Sequence, residues 1–257
     1  MAFAIPSKIT KIYRKYFSTK KTDKIVGKIY YKYLKTITKT YCYLKYDKKN
    51  IAPFKPLKIY YINPNKIKKP KNPPQFHSFL PTIRGGDWDK NTHSIEETLI
   101  FQSFQQHFEQ GKDWEETDFY QEKKRELEIG NSQYNRNSNR NIDEVMEDID
   151  SLYSSIEENG FKEQEDLERT IAANKTFDHH LREFNEIKIM YSRNGTPLIS
   201  SGHHRTIIAK LLDIDKIPVR VKAKHKEWQE VRNQAVKNPE KLTKKQKQHP
   251  DIKNLIN

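Results

Sequence analysis

The clearest fold signal in this chain is a strand, a turn, a helix and a second strand that follow one another within residues 186–221. Glu186–Tyr191 and Lys216–Val221 cluster or alternate β-branched residues, which is typical of strands. Between them, Thr206–Leu212 has the apolar pattern of a helix. The unit predicts an α+β domain with a small mixed sheet and helices.

The turn inside this unit concentrates hydrogen-bond donors at a helix start, and it reads Ser200-Ser201-Gly202-His203-His204-Arg205. Free backbone N–H groups and the positive end of the helix dipole can bind an anion there. Gly202 lets the backbone approach closely, Arg205 can form two bonds to a phosphate, and either histidine adds a donor that titrates near neutrality. From these residues alone, a turn that merely caps the helix stays an alternative.

A long helix is predicted over Ile142–Asn159, with Gly160 as its left-handed stop. Its apolar residues recur at helical spacing: Val145, Ile149, Leu152 and Ile156. A buried helix is therefore expected directly upstream of the strand unit.

Two further helices are predicted before it. The sequence Ser94-x-x-Glu97 has the form of a capping box for a helix that ends at Gly111. Asp113 can cap a second helix, from Trp114 to about Ile129. Together with the polar loop that follows, these helices predict a helical insertion at about 76–141.

Three blocks follow one another along the chain: Leu152–Gly160, then Ser201–Arg205, then Ile217–Val221, which opens Ile-Pro-Val. Their order and spacing resemble the ParB N-terminal/sulfiredoxin-like family, whose pattern is a helix ending in glycine, a Gly-His-x-Arg helix start and an Ile-Pro-Val strand. Ala209 matches the family's alanine four residues past the arginine, and Leu57–Ile62 resembles its opening strand. The resemblance covers residues 57–67 and 149–222 and implies a domain over 51–225.

The family resemblance implies a nucleotide whose phosphates lie at Ser201, Gly202, His203, His204 and Arg205. CTP, ATP or ADP, with Mg²⁺, are the cofactors that it implies, and hydrolysis or transfer of a phosphate is the implied chemistry. Such chemistry needs a carboxylate base, and no residue of the sequence is identified as one. Whether the chain is an NTPase, a phosphotransferase or a binding protein is left open.

Departures from the family pattern narrow the function. The sulfiredoxin members carry a catalytic cysteine where His203 stands, so sulfinic-acid reduction is not expected. About 35 mostly polar residues follow Val221, too few for the helix-turn-helix and dimer domains of the chromosome-segregating members. Asp213 stands where the family favours a glycine after the helix, and a left-handed conformation is less comfortable for aspartate.

A second candidate cluster lies in the insertion, in the run Thr82-Ile83-Arg84-Gly85-Gly86-Asp87-Trp88-Asp89. Arg84, Gly85 and Gly86 can contribute to a phosphate site, and Asp87 and Asp89 can act as metal carboxylates. This loop is expected to complete the nucleotide site from above. The alternative is a turn that Asp87 and Trp88 anchor to the core.

The basic character of the protein belongs to one end. The net charge of the chain is +14, but residues 1–75 carry +18 and residues 76–257 carry −4. Residues 8–45 read as helical with a lysine stripe, which predicts a basic amphipathic arm over 1–50; the run Thr36–Thr40 reads alternatively as a strand. Such an arm favours DNA, RNA or an anionic membrane surface as partner, which gives two alternative functions: a nuclease-like nucleic-acid-binding protein, or a peripheral membrane-associated module.

The remaining features exclude several classes of protein. With one cysteine, Cys42, the chain has no disulfide framework and no Cys-x-x-Cys site. No apolar run is long enough for a membrane span, so a cytoplasmic protein is expected. The adjacent histidine pairs lack metal-ligand spacing, so no structural metal is expected. Residues 226–257 predict a closing helix and a polar tail, and Lys224, Lys226 and Arg232 are expected to be solvated.

Overall fold

The computed structural model of the chain describes residues 20–46, 51–74, 80–128, 141–163 and 186–256, with the side chains of the first helix described at Ile29 and from Lys32 onward. It confirms an α+β fold with a mixed sheet and helices. Eight α-helices lie in these ranges: α1 (Lys20–Tyr46), α2 (Leu99–Phe108), α3 (Asp118–Glu128), α4 (Ile142–Asn159), α5 (His203–Leu211), α6 (Lys226–Lys237), α7 (Lys244–Gln248) and α8 (Pro250–Ile256). Seven strands accompany them: β1 (Ile59–Ile62), β2 (Lys68–Pro70), β3 (Thr82–Arg84), β4 (Thr92–Ser94), β5 (Ile187–Tyr191), β6 (Pro197–Ser201) and β7 (Ile217–His225).

Strand β7 is the centre of the sheet. It pairs antiparallel with β1 and parallel with β3 and β5. β1 lies opposite Ile217–Arg220 and β3 opposite Ala223–His225, so these two short strands share one edge of β7 while β5 occupies the other. Beyond β5 follow β6, β2 and β4. Eight of the nine residues of β7 are buried, as expected for a strand covered on both faces.

Two groups of helices pack with the sheet. Helices α2 and α4 contact α5, and α3 packs between α2 and α4. Helices α6 and α8 contact each other, and α6 reaches β7 and β3 while α8 reaches β1. The predicted helix over Ile142–Asn159 is confirmed with the same bounds, and Gly160 follows it with φ of 72°. Asp213 adopts a positive φ of 48°, the conformation that the family pattern assigns to a glycine.

The C-terminal half of α1 belongs to the core, which corrects the prediction of a separate arm over 1–50. Leu34, Cys42 and Tyr46 are buried on one side of this helix. The Tyr46 ring lies 5.8 Å from the Phe54 ring, and its hydroxyl donates to the carbonyl of Pro81 over 3.3 Å. These contacts tie the helix to the domain.

The alternative of a strand at Thr36–Thr40 is wrong, because the run is helical within α1. Its β-branched alternation is outweighed by the packing of the helix around it. Residues 8–19, which belong to the same prediction, lie outside the described residues. None of the described helices has the length and apolar content needed to cross a membrane.

The range 76–141 is more than a helical insertion, because it supplies two strands to the main sheet. β3 pairs with β7, and β4 pairs with β2. Ser94 is the last residue of β4 rather than a helix cap, and Thr98 caps α2 by accepting from the N–H of Phe101. The second predicted helix begins as a 3₁₀ turn at Trp114–Glu116 and becomes α3 at Asp118.

The prediction of a polar tail at the C-terminal end is wrong. The segment forms α7 and α8, and α8 buries Asp251 and Ile252. Lys224 and Arg232, predicted to be solvated, are 1% and 2% exposed. The buried carboxylate of Asp251 balances both charges.

Candidate phosphate-binding site

The predicted turn lies where β6 meets α5, but it is shorter than expected: Ser200 and Ser201 end the strand, and His203, His204 and Arg205 begin the helix. Gly202 stands between them with φ of 88° and ψ of 33°, in the left-handed region. A Cβ atom there would lie 2.9 Å from Ile187 Cγ1 and 3.1 Å from Ile187 Cα, so the position requires glycine. As a glycine, Gly202 has no side chain that could cap the helix, and no side chain of the described residues is found to accept a hydrogen bond from the N–H groups of His203, His204 or Arg205. The N–H groups of its first turn therefore keep their capacity to bind an anion.

Both histidines of the turn are held neutral. Burial, together with the nearby Lys69 ammonium and His204, lowers the pKa of His203 to about 4. Burial, with a contribution from Lys123, also lowers the pKa of His204. The His204 ring packs 5.6 Å from the Phe104 ring. At neutral pH the pair can offer one N–H donor each but adds no positive charge.

Arg205 is engaged within the protein. Its Nη1 donates to Glu186 Oε2 over 3.1 Å, and its Nη2 donates to the carbonyl of Lys162 over 2.8 Å. The guanidinium also lies 4.5 Å from the centre of the Phe161 ring. Its side chain is 13% exposed and that of Glu186 is 1% exposed. The predicted role as a free phosphate fork is therefore corrected: Arg205 fastens the start of α5 to β5 and to the segment after α4.

The loop Arg84–Asp89 lies at the other end of the sheet, which corrects the prediction that it completes the same site. Arg84 pairs with His225 at the C-terminal end of β7, level with the end of β5 at Tyr191. Ser201 pairs with Lys188 near the beginning of β5. The length of β5 therefore separates the two clusters, so Arg84, Gly85 and Gly86 do not share a ligand with the turn.

Asp87 and Asp89 are tied to Arg193 instead of being free to hold a metal. The buried Asp89 carboxylate accepts from the Arg193 backbone N–H at 2.7 Å and from its guanidinium at 2.8–3.2 Å. Arg193 Nη2 also lies 3.0 Å from Asp87 Oδ1 and from the carbonyl of Gly86. The alternative interpretation, an anchored turn, fits this geometry. Within the described ranges, no three His, Cys, Asp or Glu side chains come together as metal ligands.

His225 anchors the same loop through Nε2 and caps α6 through Nδ1. Nε2 donates to the carbonyl of Gly86 over 2.8 Å, and Nδ1 accepts from the N–H of Glu227 over 3.2 Å. The Trp88 ring packs 5.6 Å away. Because both nitrogens are used, this histidine is not available as a metal ligand.

A buried group of charges around Asp251 escaped prediction. The carboxylate accepts from Lys224 Nζ at 2.7 and 2.8 Å and lies 3.0 Å from Arg232 Nε. Trp228 Nε1 and the Tyr60 hydroxyl donate to it, each over 3.1 Å. The i, i+4 spacing of Trp228 and Arg232 on α6 was the available signal. That spacing alone does not indicate a buried group of charges, because the partner, Asp251, lies on α8.

Comparison with known proteins gave no relative: no family model matched the chain, and neither did any curated protein or solved structure. The ParB/sulfiredoxin-like resemblance therefore rests on the residues of this chain alone.

Proposed function

We propose that this protein binds a nucleotide through its phosphates at the start of α5, as the ParB/sulfiredoxin-like resemblance implies. The observation that carries the proposal is the uncapped start of a nine-residue helix at the left-handed Gly202. Such a start presents backbone N–H groups and the positive pole of the helix dipole to one point. CTP, ATP and ADP are the candidate ligands.

The surroundings of the turn favour an anion. The Lys69 charge acts on His203, since it contributes to the lowered pKa of that histidine. Lys123 contributes in the same way at His204, although its ammonium is already paired with Glu126 over 2.7 Å. The buried carboxylate of Glu186 is compensated by Arg205. A phosphate at the turn would therefore meet positive charge without an opposing free carboxylate from Glu186.

The proposal covers binding and stops short of catalysis. Mg²⁺ would enter with the nucleotide, since phosphate oxygens supply much of its coordination in nucleotide sites. Phosphate hydrolysis or transfer also needs a base. Glu186 is the carboxylate that contacts Arg205 of the turn, and this ion pair makes it a poor base.

The test is a calorimetric titration with CTP, ATP and ADP plus Mg²⁺. The informative variant is Ser201→Asp, because a carboxylate beside the open N–H groups would occupy the helix pole and repel phosphate. Ser151→Asp, on the exposed face of α4, is the matched control. Wild type and control should bind with the same affinity, and Ser201→Asp should bind at least tenfold more weakly; equal binding by all three would refute the site.

The exposed side chains of α1 support a second candidate function, binding to an anionic membrane surface. On α1, the exposed side chains of Ile29, Tyr33 and Leu44 stand among exposed Lys32 and Lys39. Exposed aliphatic and aromatic groups beside lysines favour an anionic membrane surface over a nucleic-acid backbone, which offers no apolar partner for them.

Deleting residues 1–50 would not test this function cleanly, since Cys42 and Tyr46 belong to the core. The charge reversal Lys32→Glu with Lys39→Glu keeps the core intact. The variant should no longer sediment with phosphatidylserine vesicles. Neither the wild type nor the variant should sediment with vesicles of neutral lipid. Retention by anionic vesicles in the variant would exclude this role for α1.

A further inference from the structure

A cavity lies away from the turn, where the β1–β2 connection, the β5–β6 turn, the residues before β7 and the α7–α8 corner meet. Its volume is about 670 Å³. Sites for small molecules and cofactors commonly have about 300–1,000 Å³. The space is therefore sufficient for a ligand of nucleotide size.

Positive charge dominates the lining of this cavity. Four lysines contribute to it against a single carboxylate, Asp215, which already lies 3.4 Å from Lys216 Nζ. The lysines come from three separate segments: Lys66 and Lys68, Lys216, and Lys245. Like charges brought together around one cavity repel one another, and a bound polyanion relieves that repulsion.

The floor of the cavity is rigid. His249 Nε2 donates to the carbonyl of Gly195 over 3.0 Å, and its Nδ1 accepts from the N–H of Asp251 over 3.1 Å. A Cβ on Gly195 would lie 2.6 Å from the Trp228 ring, so the β5–β6 turn is pressed onto that ring. Since Asp251 is fixed by Lys224, the buried charges hold this wall of the cavity in place.

Polar and aromatic groups complete the lining. Tyr191 is 1% exposed, and its hydroxyl has no hydrogen-bond partner in the part of the chain that the structure describes. Asn65 and Thr196 offer further polar atoms, and the ring of Tyr61 stands 52% exposed at the rim. This combination suits a ligand with a charged end and a ring that can stack.

We infer that this cavity binds a small organic molecule that carries at least two phosphate groups. Ammonium groups from three segments can contact several phosphate oxygens at once, which a single surface lysine cannot do. The cavity is distinct from the proposed nucleotide site: Asp215 and Lys216 follow the C-terminal end of α5, whose nine residues span about 14 Å.

The probe for this site is inorganic pyrophosphate, titrated into the full chain carrying Ser201→Asp. That background blocks the start of α5, so the result does not depend on the proposed function. The cavity variant adds Lys66→Gln and Lys245→Gln. The matched control adds Lys237→Gln and Lys253→Gln, two exposed lysines outside the cavity, with the same change of charge.

Pyrophosphate should bind the background and the control alike and bind the cavity variant at least tenfold more weakly. In the same background, pyrophosphate should protect Lys66 and Lys245 from acetylation by an amine reagent and leave Lys237 and Lys253 reactive. Failure of the background to bind pyrophosphate, equal weakening by the two double variants, or equal protection of all four lysines would overturn the inference.

Discussion

Arg205 and Glu186 form a nearly buried ion pair, with Nη1 and Oε2 3.1 Å apart, that joins the start of α5 to the beginning of β5. The pair explains why a turn with an uncapped helix start holds its geometry. It also decides how the turn can be tested, because removal of the arginine takes its counter-charge away from the buried Glu186 carboxylate.

Arg205→Ala is expected to lower the free energy of unfolding by about 3–5 kcal/mol, the usual cost of breaking a buried pair. Adding Glu186→Gln should recover part of that loss, because it removes the buried negative charge that Arg205 balances in the wild type. Urea denaturation of the two single variants and the double variant measures both effects. A double variant less stable than Arg205→Ala would contradict the assignment of this pair.

Gly202→Ala should be more destabilising than Gly111→Ala. Both glycines have positive φ, 88° and 70°, so each alanine carries the left-handed cost of about 1–2 kcal/mol. The added Cβ has nothing within 4 Å at Gly111, whereas at Gly202 it meets Ile187 at 2.9 Å. Overpacking of this kind typically adds about 1–3 kcal/mol. Equal melting temperatures for the two variants would show that Ile187 in β5 can move away from the added Cβ atom at little cost in stability.

The neutral state of His203 predicts an acid-sensitive fold. Its pKa falls from an ordinary value near 6.5 to about 4 in the folded protein. Between these values the unfolded chain binds the extra proton, so stability is complete above about pH 6.5 and is lost as the pH falls toward 4. The full loss is about 3 kcal/mol.

Unfolding in urea at pH 7 and pH 5 measures this effect in wild type and in His203→Gln. The wild type should lose about 2 kcal/mol more than the variant between these two conditions. His204 and His249 titrate in the same direction in both chains, since burial lowers the pKa of each. The same loss in both chains would mean that His203 stays accessible to protons.

Asp251→Asn should destabilise the protein by about 3–5 kcal/mol, because Lys224 and Arg232 would be left buried without their counter-charge. The neighbouring cations hold the pKa of Asp251 well below its usual range, so this stabilisation is present above about pH 3.9 and is lost as the pH falls further.

Asp215→Asn is the control for this prediction, since it removes an exposed ion pair that is worth at most about 1 kcal/mol. Differential scanning calorimetry of both variants at pH 7 distinguishes them. Similar melting temperatures for the two would show that the buried group does not stabilise the fold.

Local patterns predicted the elements that depend on local interactions. The bounds of α4 followed from apolar spacing and Gly160, and β5, α5 and β7 followed from residue type, whereas β6, which contains Ser200 and Ser201, was not predicted. The cap of α2 was misplaced because Ser94 is held in a strand pair with Lys68, a contact between segments that no local pattern encodes.

Side-chain environments that depend on distant partners could not be predicted. Lys224 and Arg232 read as solvated because their partner, Asp251, lies in a segment of polar composition. Likewise, the order of strands decides that Arg84 lies far from Ser201, and that order is not visible in the spacing of the motifs.

The most direct test of the central claim is the backbone amide spectrum of ¹⁵N-labelled protein during titration with ATP, CTP or ADP and Mg²⁺. A phosphate at the start of α5 should shift the amide signals of His203, His204 and Arg205 most strongly and saturably for at least one of the nucleotides. Saturable shifts confined to other segments, or no shifts at all, would contradict a nucleotide site at this turn.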